Sequence, residues 1–233
     1  RREVPPELGD GPDARRRISE ALIDTMADLH AVDPGAVGLE SLGKPRGFVE
    51  RQVRGWRQRW DGAKTEELPE IDELCRWLEE RIPPEPPPTI VHNDFKLDNT
   101  MYAVGDPSRV VAVFDWEMST IGDPLVDLGT LLGYWVQADD PPVLVGSLVA
   151  PTDQPGFPRR DELVARYARR TGRDVSRIAF YQVFAYYKTA VVIQQIYVRY
   201  VRGQTKDERF AAFGRAVPRL AGAALDLARS SGL

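Results

Sequence analysis

A stretch of short apolar runs, interrupted by a dense set of ionisable side chains, constrains the fold more than any other part of the chain. It reads TIVHNDFKLDNTMYAVGDPSRVVAVFDWE, from Thr89 to Glu117. Runs rich in Val, Ile, Thr and Tyr that are bounded by Gly, Pro, Asp and Ser are typical of strands joined by tight turns. The stretch therefore predicts a small β element, with strands at TIVH, NTMYAV and RVVAVFDW and a turn at GDPS.

Helical periodicity flanks this β element on both sides. Apolar side chains recur there at three- and four-residue steps, which is typical of amphipathic helices. The helices predicted in this way are 13–31, 47–62, 67–82, 124–136, 158–172, 176–203 and 208–232. Asp13 and Asp123 are predicted to cap the first and fourth of them, with Pro124 at the first helical position of the fourth. The predicted fold class is therefore α+β, mainly α.

Two proline-bearing segments are predicted to lie outside the helices. The run PPEPPP at 83–88 cannot continue a helix and is expected to be a stiff connector inside one domain. The polar segment 1–12 is expected to be a linker. Residues 1–233 are thus expected to form one lobe of a protein, preceded by its linker.

Composition narrows the class of function. With 31 basic and 35 acidic residues the chain has a formal charge of −4, which argues against a dedicated nucleic-acid binder. No apolar run has the roughly 18 residues of a membrane span, and the N-terminus does not resemble a signal peptide. Cys75 is the one cysteine, so an intrachain disulfide is excluded and a reducing compartment is indicated. We therefore expect a cytoplasmic protein without a membrane or nucleic-acid partner.

The hairpin predicts a site for a hard cation. If Gly105–Arg109 forms a five-residue loop, Asn99 lies opposite Asp115, and such cross-strand Cβ atoms are about 4.5–5.5 Å apart. An amide oxygen and a carboxylate at that distance can share Mg²⁺, which prefers oxygen ligands. Asp94, in the turn before the hairpin, could project towards the same point. A four-residue loop would shift the register by one, so the pairing is a hypothesis.

Each polar residue of this set also has a structural interpretation. Asp94 could cap a turn, and Asn99 could simply end a strand. Asp115 follows an apolar strand, where a buried carboxylate needs a partner. His92 is interpreted as a structural imidazole that holds the loop. His30, the second histidine, lies on a helix distant in sequence, so a histidine metal cluster is excluded.

The order of these motifs resembles a known family of enzymes. HNDFKLDN has the His-x-Asp of a kinase catalytic loop, with an Asn five residues after the Asp. VFDWE stands where kinases have their metal-binding Asp, and LHAVDP and GDPLVDLG occur in the matching order. The chain resembles the aminoglycoside phosphotransferase and choline-kinase-like family of small-molecule kinases. Within it, the chain is similar to the branch related to the kinase-like domain of acyl-CoA dehydrogenase family members.

The resemblance implies a role for each residue of the set. Asp94 would orient the substrate hydroxyl and accept its proton. Asn99 and Asp115 would bind Mg²⁺ on the phosphates of ATP. Lys96 stands where some kinases contact the γ-phosphate, although a solvated lysine is an open alternative. Asp127 would support the catalytic loop from its helix.

The resemblance extends to the C-terminal lobe of the kinase fold only. It implies a lobe with a small β-hairpin that carries the catalytic and metal-binding residues. The family's phosphate-covering loop and strand lysine have no counterpart in this sequence, so the chain by itself is expected to bind ATP poorly. Two functions remain open: a kinase that phosphorylates a small-molecule alcohol, and a non-catalytic binding module with the same fold. An upstream strand lysine would favour the kinase.

The acceptor pocket of such kinases is walled by the helices that follow the metal-binding Asp. The aromatic residues that these helices offer are Tyr134, Trp135, Tyr186, Tyr187 and Tyr197. Aromatic side chains at helical spacing are also typical of a core, so this assignment stays open. Asp139 and Asp140 are the one acidic pair nearby, whereas aminoglycoside sites collect acids. We therefore expect a less cationic alcohol, such as a hydroxyacyl compound.

Overall fold

The computed structural model describes residues 6–9, 11–141 and 150–233. The α-helices in these ranges are α1 (Pro12–Ala31), α2 (Phe48–Ala63), α3 (Pro69–Glu80), α4 (Leu125–Tyr134), α5 (Arg160–Thr171), α6 (Ile178–Val201) and α7 (Phe213–Ser230). The strands are β1 (Thr89–Val91), β2 (Thr100–Ala103), β3 (Asp106–Val113) and β4 (Thr120–Gly122). The predicted class, mainly helical with a small β-hairpin, is confirmed. Part of the predicted linker 1–12 lies outside the described residues.

The strands form two separate antiparallel pairs. β2 and β3 make the predicted hairpin, whereas β1 pairs with β4, so that Ile90 faces Ile121. Thr120–Gly122, directly before Asp123, is a strand that the sequence did not predict. The carboxylate of Asp123 accepts a hydrogen bond from the amide of Leu125, the first residue of α4, at 2.9 Å. The N-cap of α4 is Pro124 and not Asp123, so the predicted start of this helix was wrong by one residue.

The register predicted for the hairpin was wrong by one residue near its open end. Thr100 faces Val113, and two irregularities follow along β2. The chain reverses at Gly105, whose φ of +75° suits a tight turn. Asp106 already belongs to β3, so the expected loop over 105–109 does not form. As a result, the carbonyl of Asn99 accepts from the amide of Phe114 at 2.8 Å, and Asp115 lies one position beyond.

The first helix begins differently from the prediction. Gly11 is its N-cap and Pro12 its first residue, so Asp13 lies within the first turn and does not cap. Proline suits this position because its missing N–H would be unpaired in the first turn. The last predicted helix, 208–232, divides into a 3-10 helix at Glu208–Ala212 and α7.

The core forms around α6, which packs against α2, α4 and α7. Its buried face includes Phe180, Tyr181 and Tyr187, and Trp60 of α2 belongs to the same cluster. None of the helices in the described part of the chain is both long and apolar enough to span a bilayer. This packing fixes the N-terminal end of α4 beside the end of β1, where the polar residues singled out above converge.

Candidate active site

Asp127 of α4 binds the backbone of the loop that follows β1. Its Oδ2 accepts a hydrogen bond from the amide of His92 at 2.7 Å, and its Oδ1 accepts one from Asn93 at 2.6 Å. The carboxylate is fully buried. A buried carboxylate with charge-assisted bonds to two successive amides holds a loop in one conformation. The loop therefore leaves β1 in an orientation set by α4.

His30 is a third partner of Asp127, and it was missed in the sequence. Its Nε2 lies 3.2 Å from Asp127 Oδ2, and its Nδ1 lies 2.8 Å from the hydroxyl of Tyr167 on α5. The side chain is buried. Its one signal in the sequence is that it follows Met26 by four residues, which continues the apolar stripe of α1. Distance along the chain was a poor guide here, because α1 packs against β1 and α5.

His92 connects the loop to the end of β3. Its Nε2 donates to the carbonyl of Phe114 at 2.7 Å, and its Nδ1 accepts from the amide of Asp94 at 3.2 Å. These two bonds require a neutral imidazole with its proton on Nε2. The ring therefore links the residue before Asp115 to the backbone of Asp94, which is a structural arrangement.

Asp94, Lys96 and Asn99 form one hydrogen-bonded group on this loop. Lys96 Nζ lies 2.5 Å from Asp94 Oδ2, and Asn99 Nδ2 donates to the same oxygen at 3.0 Å. Lys96 also lies over the ring of Tyr134, 4.9 Å from its centre. Burial disfavours the charge of Lys96 and is the largest single effect, but the bond to Asp94 and the nearby groups of Tyr134 and Asp98 together outweigh it, so the pKa of the ammonium is raised. Lys96 is thus part-buried and paired.

Two residues beside this group adopt a left-handed backbone conformation. Asn93 has φ of +65° and Asp115 has φ of +69°, and they are the non-glycine residues with positive φ in the described ranges. Such a conformation costs about 1–2 kcal/mol in general, and Asn and Asp tolerate it better than other residues. Strain of this kind is often retained where a side chain must point at a ligand. Here it changes the direction of the chain two residues after the end of β1 and two residues after the end of β3.

The donor set partly fits a magnesium ion. Asn99 donates through its amide nitrogen, and within the described residues no donor contacts its amide oxygen. Asp115 lies beside Glu117, and the hydrogen bond and negative charge of Asp115 raise the pKa of Glu117. No group of three His, Cys, Asp or Glu side chains in the described chain could hold a metal. These residues therefore fit Mg²⁺ only with oxygens from a ligand, which is its usual mode of binding beside phosphates.

Asp115 is exposed, whereas its place after an apolar strand predicted burial. The reason is that its surroundings on the hairpin are also open, including Val111, Phe114 and Trp116. An exposed carboxylate needs no structural partner. Desolvation therefore does not require a partner for Asp115.

The aromatic residues expected to line an acceptor pocket do not lie together. Tyr134 and Trp135 line one cavity with Lys96. The other three lie on α6 and outside that cavity. Tyr187 is buried and its hydroxyl contacts Cys75, while the buried Tyr186 contacts Gln182. Tyr197 packs against Gly214.

The acidic pair after α4 is neutralised by the start of α5. Asp140 forms a bidentate pair with Arg160, at 2.7 and 2.5 Å, and Asp139 lies 3.1 Å from Arg159. The bond to Arg159 lowers the pKa of Asp139. Paired acids of this kind are poorly suited to receive a polycationic ligand.

The sequence is similar to a known protein family and to several curated proteins. A model of the phosphotransferase enzyme family matches residues 2–177. Acyl-CoA dehydrogenase family member 11 of Gallus gallus is 32% identical over 231 residues, which are 96% of this chain and 29% of that protein. Member 10 of Mus musculus is 30% identical, over 95% of this chain and 21% of that protein. The chain thus spans less than a third of the length of these curated relatives.

Solved structures share the fold. A Ralstonia eutropha protein assigned to the aminoglycoside phosphotransferases superposes with a TM-score of 0.86 at 31% identity, over 98% of this chain and 70% of that chain. Macrolide 2′-phosphotransferase type I superposes with a TM-score of 0.60 at 17% identity, over 92% of this chain and 64% of that chain. At the lower identity the likeness shows the fold alone.

Proposed function

Because the chain belongs to the phosphotransferase enzyme family, we propose that it transfers the γ-phosphoryl group of ATP to a hydroxyl group of a small molecule. The family resemblance of the sequence, including its relation to acyl-CoA dehydrogenase family members, is confirmed. The observation that carries the proposal is the position of Asp94. Its carboxylate is held by Lys96 and Asn99 on a loop whose amides are fixed by Asp127.

Asp94 has the chemistry that the reaction needs from the protein. Phosphoryl transfer passes through a loose transition state, so that positioning and charge neutralisation matter more than a strong base. In our proposal Asp94 aligns the acceptor hydroxyl and takes its proton as the new oxygen–phosphorus bond forms. The bond from the γ-phosphorus to the leaving ADP oxygen breaks in the same step. Lys96 stays protonated through its bond to Asp94 and balances negative charge at this point.

Asn99 and Asp115 are proposed to hold Mg²⁺ together with the phosphates. The ion would neutralise charge on the phosphate oxygens when bound. Support comes from the amide oxygen of Asn99, which no described donor contacts, and from the two adjacent carboxylates of Asp115 and Glu117. A cation near such a pair relieves the repulsion between like charges. Asn99 and Asp115 are not cross-strand partners, because Phe114 lies opposite Asn99.

The acceptor is proposed to be an alcohol without a high positive charge, such as a hydroxyacyl compound. Asp139 and Asp140 are occupied by Arg159 and Arg160, which leaves that acidic pair neutralised. The relatives are named acyl-CoA dehydrogenase family members, which is in keeping with a hydroxyacyl acceptor. We place the reaction in the cytoplasm because the single cysteine is typical of a reducing compartment.

We assign residues 1–233 to the C-terminal lobe of the kinase fold. The test of the function is therefore made on the native chain that contains these residues. ADP release is measured with Mg²⁺ and ATP against a panel of hydroxy acids, diols and aminoglycosides. We expect ADP formation that depends on both an alcohol and Mg²⁺. ATP binding without acceptor-dependent ADP release would instead support the non-catalytic binding module.

A further inference from the structure

A cavity beside the catalytic loop is lined by positive charge. It has a volume of about 350 Å³, within the usual range for small-molecule sites. We call it the basic pocket and define it by Lys44, Arg51, Arg59 and Lys188, with Trp56 and Asn93. All of its lining residues belong to the described chain, and none is acidic. The pocket borders Asn93, the residue directly before Asp94, so a ligand there lies next to the proposed catalytic carboxylate.

Within the described residues, the cations of this pocket form no ion pairs with acids such as those of other arginines of α2. Arg54 pairs with Glu50 at 3.0 Å, and Arg57 pairs with Asp72 at 2.8 Å. Arg51 donates instead to backbone carbonyls, and Arg59 lies 4.6 Å from the centre of the Trp56 ring. None of these contacts neutralises positive charge, so the pocket attracts anions.

Lys188, on α6, places a part-buried ammonium group in the wall of the pocket. Its Nζ donates to the carbonyl of Asn93 at 2.7 Å, which leaves further donor capacity on the ammonium. Burial lowers the pKa of Lys188, although the negative charges of Asp94 and Asp127 oppose the shift, so the ammonium is within electrostatic reach of the catalytic loop. An anion in the pocket would stabilise the charged form of this lysine.

A second, independent observation comes from Trp56, whose side chain forms part of the pocket wall. Trp56 is 5% exposed, and its indole N–H has no hydrogen-bond partner within the described residues. A buried donor without a partner costs about 1–3 kcal/mol. The indole nitrogen is itself screened from solvent, and the ring lies between two cations of the pocket, Arg59 at 4.6 Å and Lys188 at 5.6 Å from its centre.

We propose that the basic pocket binds an anionic group of the acceptor, a carboxylate or a phosphate, while the acceptor's hydroxyl lies at Asp94. This inference rests on the proposed function, since it assigns the acceptor of that same site. Arginine is well suited to the role because its guanidinium binds carboxylates and phosphates through two parallel hydrogen bonds. The pocket would then select acidic alcohols over neutral ones.

Binding is tested first, without turnover, on the native chain that contains these residues. The indole N–H resonance of Trp56, assigned with Trp56→Phe, is followed by NMR during titration with 3-hydroxybutyrate, inorganic phosphate or 1,3-butanediol. We expect saturable shifts with the anions and none with the diol. The two anions distinguish a carboxylate from a phosphate as the preferred group. Equal responses to the diol and the anions, or no response to either anion, would overturn the proposal.

Variants then assign the binding to the pocket. Arg59→Ala and Lys188→Gln are each expected to weaken anion binding at least tenfold. Arg54→Ala removes the same charge from the same helix outside the pocket, and it is expected to change affinity less than twofold. If Lys188→Gln fails to fold, Arg59→Ala decides, because Arg59 is exposed. Equal affinity in Arg59→Ala and Arg54→Ala would contradict the assignment.

Turnover of the native chain that contains these residues separates the proposed kinase function from the proposed basic pocket. Acceptor-dependent ADP release that prefers 3-hydroxybutyrate over 1,3-butanediol supports both. Release with equal preference for the two compounds keeps the kinase and overturns the basic pocket. Anion binding lost in Arg59→Ala, without any ADP release, keeps the pocket and contradicts the kinase.

Discussion

The carboxylate of Asp127 lies 2.7 Å from the amide nitrogen of His92, and this hydrogen bond joins the first turn of α4 to the end of β1. The second carboxylate oxygen accepts from the next amide along, that of Asn93. Two fixed amides determine the direction in which the following residue, Asp94, leaves the loop. The position of the proposed catalytic carboxylate is therefore set by a buried side chain that has no contact with a substrate.

Asp127→Asn should destabilise the fold. The amide group offers one acceptor where the carboxylate offers two, so an N–H of the variant would face an N–H of the loop. An unsatisfied buried donor costs about 1–3 kcal/mol. Urea denaturation should show a decrease of about that size in the free energy of unfolding. Asp106→Asn, at the far end of the hairpin, is the matched control, and an equal decrease in both variants would contradict the account.

Asp123 should give stability a measurable dependence on pH. Burial raises the pKa of this carboxyl, although bonds from Tyr181 and Leu125 oppose the shift. The folded state therefore holds the proton more tightly than the unfolded state. As the pH rises above 3.8, the ordinary pKa of this carboxyl, the contribution of Asp123 to stability falls.

Asp123→Asn removes this titration and keeps the shape of the side chain. We expect the free energy of unfolding of the variant, relative to that of the wild type, to increase from pH 4 to pH 7. Urea denaturation at several pH values measures the difference. A difference that is constant or decreases over this interval would show that Asp123 does not titrate with a raised pKa.

Asp115 should matter for the metal and hardly for the fold. Its side chain is exposed, so Asp115→Ala is expected to lower the stability of the chain by less than about 1 kcal/mol, through the positive φ that Ala tolerates less well than Asp. Asp115→Gly should exceed Asp115→Ala in stability by about 1 kcal/mol, because glycine relieves the positive φ. Calorimetric titration of Mg-ATP into the native chain should show weaker binding for both variants. Unchanged affinity would exclude Asp115 as a ligand of the ion.

The sequence was sufficient for the class of fold and for the local grouping of Asp94, Lys96 and Asn99. These residues lie within one loop, so their spacing alone brings them together. The register of the hairpin was not predictable in the same way. The irregularities of β2 and the turn at Gly105 shift the pairing by one, and propensities do not encode such shifts.

Contacts between distant elements were the other part that the sequence did not reveal. The pairing of β4 with β1 depends on a three-residue strand, too short for a periodic signal. The partners of Asp127 include His30 from α1, and the basic pocket joins α2 to Lys188 on α6. These groups meet only because the helices pack around one core, which no local pattern describes.

The most direct measurement for the central claim is phosphoryl transfer by Asp94→Asn in the native chain that contains these residues. The amide keeps the size of the side chain but cannot take a proton from the acceptor hydroxyl. We expect acceptor-dependent ADP release to fall by about 10²–10⁴-fold, with the melting temperature within about 2 °C of the wild type. Turnover within threefold of the wild type, in a variant that folds normally, would contradict the assignment of Asp94 as the catalytic carboxylate.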